Sequence, residues 1–206
     1  MNNSDKIILS LCSGTGSWER PYVEAGYDVR SITLPAQDVR YYKPPKRVYG
    51  ILAAPPCTMF SYARSTAKTP RDFTNAMLIV KSCLKIIEDC ITDAYQNGNC
   101  DTFKFWALEN PARSYLVRFI GKPTLIYQPS EYGDHWTKMT GIWGWFKNPI
   151  KKSVVLTVDE LRVTKINSSK RLSLLPSALK SQCNTQADLR SITPPGFARA
   201  FFEANK

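Results

Sequence analysis

The chain has 206 residues, of which 43% are hydrophobic and 22% are charged, so it can build a folded core and is not disordered throughout. Its 28 Lys and Arg against 17 Asp and Glu give a net charge of +11, which favours a polyanionic partner such as nucleic acid. No stretch approaches the ~18 uninterrupted apolar residues of a membrane span. The N-terminus has the pattern of a first strand and not of a signal peptide.

The cysteine and histidine content limits the chemistry that the chain can perform. The six cysteines form no CxxC pair and His135 is the single histidine, so we expect no metal site. Without a secretion signal, the cysteines are expected to be reduced in an intracellular compartment.

Strand and helix signals alternate through residue 146. Apolar runs predict strands at 6–12, 27–34, 48–54 and 103–108, and two further apolar segments lie at 123–127 and 139–146. Helices are predicted at 18–26 and, from apolar residues at helical spacing, at 75–94. This alternation predicts an α/β three-layer fold with a mostly parallel sheet over residues 1–146.

The stretch 147–187 has a different composition, with eight Lys and Arg against two acidic residues. It is expected to be a small basic insertion, and a solvated loop region without a partner is the alternative. Within it, VVLTV at 154–158 predicts a strand. Residues 188–206 form a C-terminal segment that is expected to return to the core.

Three predicted strands end in unusual loops, with the sequences SGTGS, PPC and ENP. Because ligands of open α/β sheets bind at the carboxyl ends of the strands, these loops are expected to converge on one place. The SGTGS loop is compatible with a cofactor turn or with a simple tight turn.

The second and third loops carry reactive side chains. Pro55 and Pro56 stiffen the chain just before Cys57, which makes this thiol a candidate nucleophile. Glu109 ends an apolar strand, where burial favours a neutral carboxylic acid, and Asn110 follows it as a candidate orienting group. The alternative is that Glu109 caps a following helix.

The three loops together resemble the DNA (cytosine-5) methyltransferase family. LCSGTGSW is similar to its cofactor motif, AAPPCTMFS to its PPCxxFS nucleophile motif, and LENPARS to its ENV motif. Tyr132 and Gly133, followed by Lys138 and Thr140, lie where the family has YG and a QxRxR strand, and SITPPGFARAFF is similar to its final motif. The resemblance covers nearly the whole chain and is closest to small phage-type members.

This resemblance implies a Rossmann-like, S-adenosylmethionine-dependent DNA methyltransferase, expected to be monomeric and cytoplasmic in a bacterium or phage-infected host. Cys57 would add to C6 of a flipped cytosine with help from Glu109, Asn110 and Lys138, and S-adenosylhomocysteine would be the product. The implied cofactor contacts are Cys12, Ser13, Gly14, Thr15, Gly16, Ser17, Trp18, Leu34, Asp38, Val39, Pro55 and Thr193. The implied nucleic-acid contacts are Ser61, Arg64, Arg71, Lys151, Lys152, Lys170 and Arg171.

The chain departs from the family pattern at several positions. Leu34 stands where an acid that binds the cofactor ribose is expected, which leaves Asp38 as the acid near the cofactor. The QxRxR positions are Trp136, Lys138 and Thr140, and only about forty residues stand in place of a target-recognition domain. Two alternatives therefore stay open: methylation of RNA or of another modified cytosine, and a catalytically decayed DNA-binding or anti-restriction protein on the same scaffold.

Overall fold

A six-stranded sheet forms the middle layer of the fold. The computed structural model describes residues 2–64, 67–98, 100–161, 183 and 185–206, with the backbone alone at 186, 187 and 190. The strands are β1 (Ile7–Leu11), β2 (Asp28–Ile32), β3 (Val48–Ala53), β4 (Phe105–Pro111), β5 (Leu125–Tyr127) and β6 (Thr140–Trp145), in the order β2-β1-β3-β4-β6-β5. Pairing is parallel from β2 to β4, and β6 runs antiparallel to both of its neighbours.

Helices cover both faces of this sheet. They are α1 (Arg20–Glu24), α2 (Phe73–Gln96), α3 (Val117–Ile120), α4 (Gln186–Ser191) and α5 (Pro195–Asn205), and short 3-10 helices lie at Asn3–Asp5, Tyr62–Arg64 and Pro129–Tyr132. None of the helices in the described ranges is both long and apolar enough to cross a membrane.

Two apolar cores follow from this layering, because successive strand residues point to opposite faces of the sheet. On one face, the apolar side of α2, including Val80 and Ile87, packs with Leu9 and Ile51. Asp72 begins α2 as its N-cap and accepts a hydrogen bond from the Asn75 backbone N–H at 2.9 Å.

The second core lies on the opposite face and is rich in aromatic rings. Tyr22 of α1 and Phe201 of α5 pack on Phe105 of β4, with ring centroids 5.7 and 5.5 Å from it. The same core holds Tyr127 stacked on Phe197 at 3.8 Å. The C-terminal helix is therefore an integral part of the molecule.

The structure confirms an α/β fold with a mostly parallel sheet, and it is compatible with a Rossmann-like arrangement. Two local predictions were wrong. Residues 109–111 are not a loop, because β4 continues through Pro111 and Glu109 pairs with Ile142 of β6. Residues 154–157 form no strand: Lys152 and Val154 donate backbone hydrogen bonds to the turn at Pro129–Tyr132, and a helical turn starts at 158.

Candidate functional site

The carboxyl ends of β1, β3 and β4 lie side by side. Leu11 pairs with Ala53, and Ala53 pairs with Leu108. The Ala54 N–H donates to the Leu11 carbonyl at 2.9 Å, so the register holds into the turn that follows β3. The SGTGS and PPC segments therefore leave the sheet next to the end of β4, where Glu109 lies within the strand.

The turn after β3 holds Cys57 in a fixed backbone geometry. The Cys57 carbonyl accepts hydrogen bonds from the backbone N–H groups of Phe60, at 3.0 Å, and Ser61, at 2.8 Å. Phe60 is fully buried, which anchors the turn in the core. Cys57 itself is half-buried and follows the end of β3 at Ala53, at the carboxyl edge of the sheet where open α/β folds bind their ligands.

Asn110 connects this turn to β4. Its side chain is 2% exposed, and its Nδ2 donates to the carbonyl oxygen of Pro55 at 3.0 Å. The carbonyl of Pro55 is thus fixed two residues before Cys57. The Asn110 Oδ1 is buried and accepts no hydrogen bond from the described residues, so it remains available to a donor on a ligand.

Glu109 is the centre of a buried polar cluster. Its Oε1 lies 3.2 Å from Lys138 Nζ, and its Oε2 accepts a hydrogen bond from Thr193 Oγ1 at 2.9 Å. Lys138 Nζ also donates to the carbonyl of Ile192 at 3.0 Å. The side chains of Glu109 and Lys138 are only 7% and 17% exposed, so the ion pair is shielded from solvent.

Thr193 joins this cluster to the glycine turn. Its backbone N–H donates to Ser17 Oγ at 2.8 Å, while its hydroxyl holds Glu109. Sequence analysis assigned Thr193 to the cofactor, but its hydroxyl positions the carboxylate. Pro55, another expected cofactor residue, bonds Asn110 through its carbonyl as described above.

The glycine turn after β1 adopts a backbone that few side chains tolerate. Gly14 and Gly16 have φ of +56° and +68°, and Cys12 has φ of +57°. Ser13 and Thr15 complete the turn, and Thr15 Oγ1 lies 3.3 Å from Ser17 Oγ. Because the turn has little side-chain bulk, a ligand can approach its backbone closely.

Two residues assigned to the cofactor by resemblance are core residues instead, which corrects that expectation. The Trp18 ring is 3% exposed and lies 5.6 Å from the Phe201 ring. Val39 is 5% exposed and belongs to the core under α2. The apolar character of each side chain explains its burial, because the hydrophobic effect draws both toward the core.

The two positions at which the family pattern has an acid near the cofactor are 34 and 38. Leu34 is 66% exposed. Asp38 is occupied by Arg40, which bonds it through its backbone N–H at 2.9 Å and its guanidinium at 2.5 Å, and these bonds lower the pKa of Asp38. Cys12 lies near Asp38, and a hydrogen bond with the thiol of Cys83 lowers the pKa of Cys12.

Sequence analysis missed Glu19, a carboxyl group buried beside the glycine turn. Glu19 precedes α1, is 4% exposed, and accepts a hydrogen bond from Ser31 Oγ of β2 at 3.2 Å. Burial raises its pKa, and its Oε2 has no hydrogen-bond partner within the described ranges. A cavity of about 400 Å³ borders Glu19, Gly16 and Ser31. The only signal in the sequence was an acid directly after the SGTGSW segment.

The predicted nucleic-acid residues fall into two groups. Arg71 donates to the carbonyls of Met59 at 2.5 Å and Ser61 at 2.9 Å, so it braces the Cys57 turn. Arg64 donates to the Thr69 carbonyl at 2.7 Å and holds the same loop.

The second group lies in the basic stretch. Lys151 pairs with Glu131 at 2.6 Å, which partly neutralises it, and Lys152 is exposed. Lys170 and Arg171 lie outside the described residues. The structure therefore places Ser61, Arg64 and Arg71 at the Cys57 turn. Among the described residues, Lys151 and Lys152 form no hydrogen bond or ion pair with that turn.

Comparison with known proteins does not assign the chain to a family. No protein-family model matches the chain, and no curated protein sequence matches it either. Among the described residues, no group of three or more His, Cys, Asp or Glu side chains could hold a metal ion.

Proposed function

We propose that the protein is an S-adenosylmethionine-dependent DNA cytosine-5 methyltransferase with Cys57 as its nucleophile. The observation that carries this proposal is the connected set of hydrogen bonds at the carboxyl edge of the sheet. Asn110 holds the Cys57 turn, Glu109 lies one residue before Asn110 on β4, and Thr193 joins Glu109 to the glycine turn. A thiol, a buried carboxyl group and a cofactor-type turn are the parts that this chemistry requires.

The residues around the glycine turn fit the proposed cofactor. The positive φ values of Gly14 and Gly16 leave the backbone open to close approach, and a cavity of about 400 Å³ borders the turn. Glu19 lines that cavity, and its buried Oε2 has no hydrogen-bond partner among the described residues, so the site has an acid although position 34 is leucine. When bound, S-adenosylmethionine supplies an electrophilic methyl group.

The chain's own residues then act on the cytosine ring. The Cys57 thiolate forms a bond to C6, and N3 takes a proton that the Lys138 ammonium group passes on through Glu109, so that C5 becomes nucleophilic. Once C5 carries the methyl group, loss of the C5 proton to solvent restores the ring double bond. The C6–S bond breaks, Cys57 leaves as a thiolate, and the proton on N3 returns through Glu109 to Lys138, which restores the ion pair.

Lys138 and Thr193 have a positioning part in this mechanism. They bond different oxygens of Glu109, so the carboxyl group is held in one orientation rather than rotating freely. Asn110 binds the carbonyl oxygen of Pro55 and so fixes the backbone that precedes Cys57. Preorganised groups of this kind lower the barrier because they need no rearrangement during the reaction.

The experiment that tests this proposal is bisulfite sequencing of DNA from cells that express the protein. We expect protected cytosines with the wild-type chain and none with Cys57→Ala. Cys100→Ala is the matched control, because Cys100 is an exposed cysteine and should leave methylation unchanged. Methylation by Cys57→Ala would refute the proposed mechanism.

A second candidate function is DNA binding without catalysis on the same scaffold. The observations that favour it are a leucine in place of an acid at position 34, the occupation of Asp38 by Arg40 and the burial of Trp18. Calorimetry with S-adenosylmethionine separates the two candidates. Saturable binding supports the enzyme, whereas no heat of binding together with retained DNA affinity supports the second candidate.

A further inference from the structure

Two guanidinium groups meet on one tyrosine ring near the Cys57 turn. The Cζ atom of Arg71 lies 5.0 Å from the centroid of the Tyr115 ring, and that of Arg118 lies 5.4 Å from it. Within the described ranges, neither arginine forms an ion pair with a carboxylate. Like charges gathered around one ring repel each other, and an anion bound next to them would reduce the repulsion.

The segments around the Tyr115 ring are also positively charged. Segments 57–72 and 112–122 contain six Lys and Arg residues and a single acid, Asp72, which is engaged as the N-cap of α2. The cations are Arg64, Lys68, Arg71, Arg113, Arg118 and Lys122. The positive potential here therefore belongs to the sheet-edge loops and not to the stretch 147–187.

This cluster is attached directly to the nucleophile turn. The Tyr115 N–H donates to the Phe60 carbonyl at 2.9 Å, and Ser114 forms an isolated β-bridge with Ser61. Ser61 in turn donates to the Cys57 carbonyl at 2.8 Å. A ligand that binds Tyr115 and its two arginines is thereby fixed relative to Cys57.

Exposed aromatic surface accompanies the charge. Tyr62 is 48% exposed, and its ring lies 4.8 Å from that of Tyr115 at an angle of 90°. Phe119, also 48% exposed, packs on Phe60 at 6.0 Å. Guanidinium groups without a carboxylate partner, beside exposed aromatic rings, are the combination that binds a nucleic-acid strand, because phosphates bind the cations and bases stack on the rings.

We propose that Arg71, Tyr115 and Arg118 bind the phosphodiester backbone of the DNA strand next to the nucleotide that enters the Cys57 site. Tyr62 presents its ring to an adjacent base. The choice of DNA rests on the proposed function, while the contact itself follows from charge and aromatic exposure. This surface adds Tyr115, Arg118 and Tyr62 to the residues that sequence analysis assigned to nucleic acid.

Arg118→Gln tests the contact, because Arg118 is exposed and its side chain makes none of the hydrogen bonds that hold the Cys57 turn. Arg30→Gln is the matched control: it changes the net charge equally but lies on β2, where Arg30 pairs with Asp28 at 2.7 Å. Binding to a fluorescent DNA duplex is measured by anisotropy over a series of salt concentrations, without cofactor.

We expect the slope of log affinity against log salt concentration to become shallower by about 0.9 for Arg118→Gln, as for the loss of one phosphate contact. If the variant and the wild type bind equally at 1 M salt, the variant binds DNA about eightfold more weakly than the wild type at 0.1 M salt. Arg30→Gln should keep the wild-type slope. Arg118→Lys should restore the slope, because it retains the charge, and circular dichroism checks that each variant is folded.

Equal slopes for folded Arg118→Gln and Arg30→Gln would overturn this inference, and methylation by the wild-type chain would show that the proposed function stands without it. A slope change seen with RNA and not with DNA would overturn the assignment to DNA. If the wild-type protein has no salt-dependent affinity for DNA, both this inference and the proposed function fail.

Discussion

Removal of the Lys138 ammonium group tests the polar cluster independently of any reaction. Lys138→Met leaves the Glu109 carboxyl group with Thr193 as its remaining hydrogen-bond donor in the cluster. Loss of one partner of a buried ion pair costs about 3–5 kcal/mol. Because Lys138 is 17% exposed and water can partly replace it, we expect a loss of about 2–3 kcal/mol in the free energy of unfolding.

Urea denaturation followed by circular dichroism measures this change, and thermal melting should show a decrease in Tm of about 4–12 °C for a chain of this size. Lys85→Met is the matched control, because Lys85 forms an exposed ion pair with Asp89 on α2. That pair should contribute little to stability, because both of its side chains are exposed to solvent. In the Lys138→Met background, Glu109→Gln removes the orphaned charge and should recover part of the lost stability.

The reasoning is refuted if Lys138→Met and Lys85→Met destabilise the protein equally. It is also refuted if Glu109→Gln destabilises Lys138→Met as much as it destabilises the wild-type chain. Either result would mean that the free energy of the Glu109–Lys138 pair is no larger than that of a surface pair.

Three further predictions concern Thr193, Asp134 and Asp72. Thr193→Val removes the 2.9 Å hydrogen bond to Glu109 and should lower kcat for methyl transfer by about tenfold or more. Thr193→Ser keeps the hydroxyl group and should restore kcat, and calorimetry measures the cofactor affinity of both variants. Burial raises the pKa of Asp134 to about 7, so the folded state binds the proton more tightly than the unfolded chain. The free energy of unfolding should then fall as pH rises from about 4 to 7, by up to about 1.4 kcal/mol per pH unit, relative to Asp134→Asn in urea titrations. Asp72→Ala removes the N-cap of α2 and should lower the free energy of unfolding in the same titrations, because the Asn75 N–H loses its acceptor.

Local patterns predicted most of the fold. The apolar runs at β1 and β3 are buried on both faces of the sheet, and α2 follows the spacing of its apolar residues. The end of β4 was misassigned because its partner β6 lies about thirty residues further along the chain, and a nonlocal pairing leaves no trace in local sequence. Proline in Glu109-Asn110-Pro111 also suggested a break, yet it occupies the last position of the strand.

For the candidate site, the sequence predicted the reactive residues but not the hydrogen bonds that connect them. Cys57, Glu109 and Asn110 follow strand signals, and the adjacency of their segments follows from the sheet. The hydrogen bond from Thr193 to Glu109 could not be predicted, because it joins positions that no pattern relates. Trp18 was assigned to the cofactor from its place in a motif, and neither motif nor composition indicates toward which side a ring points.

The bonds of Thr193 also have a consequence for the kinetics of folding. Its contacts with Ser17 and Glu109 join residues 176 and 84 positions apart, and closing such long loops is entropically slow. We therefore expect these contacts to form after the rate-limiting step, so that Thr193→Val accelerates unfolding and leaves the refolding rate nearly unchanged in stopped-flow measurements. A nucleus formed by β1, β3 and α2 would then exist before the protein can bind or react with anything at Cys57.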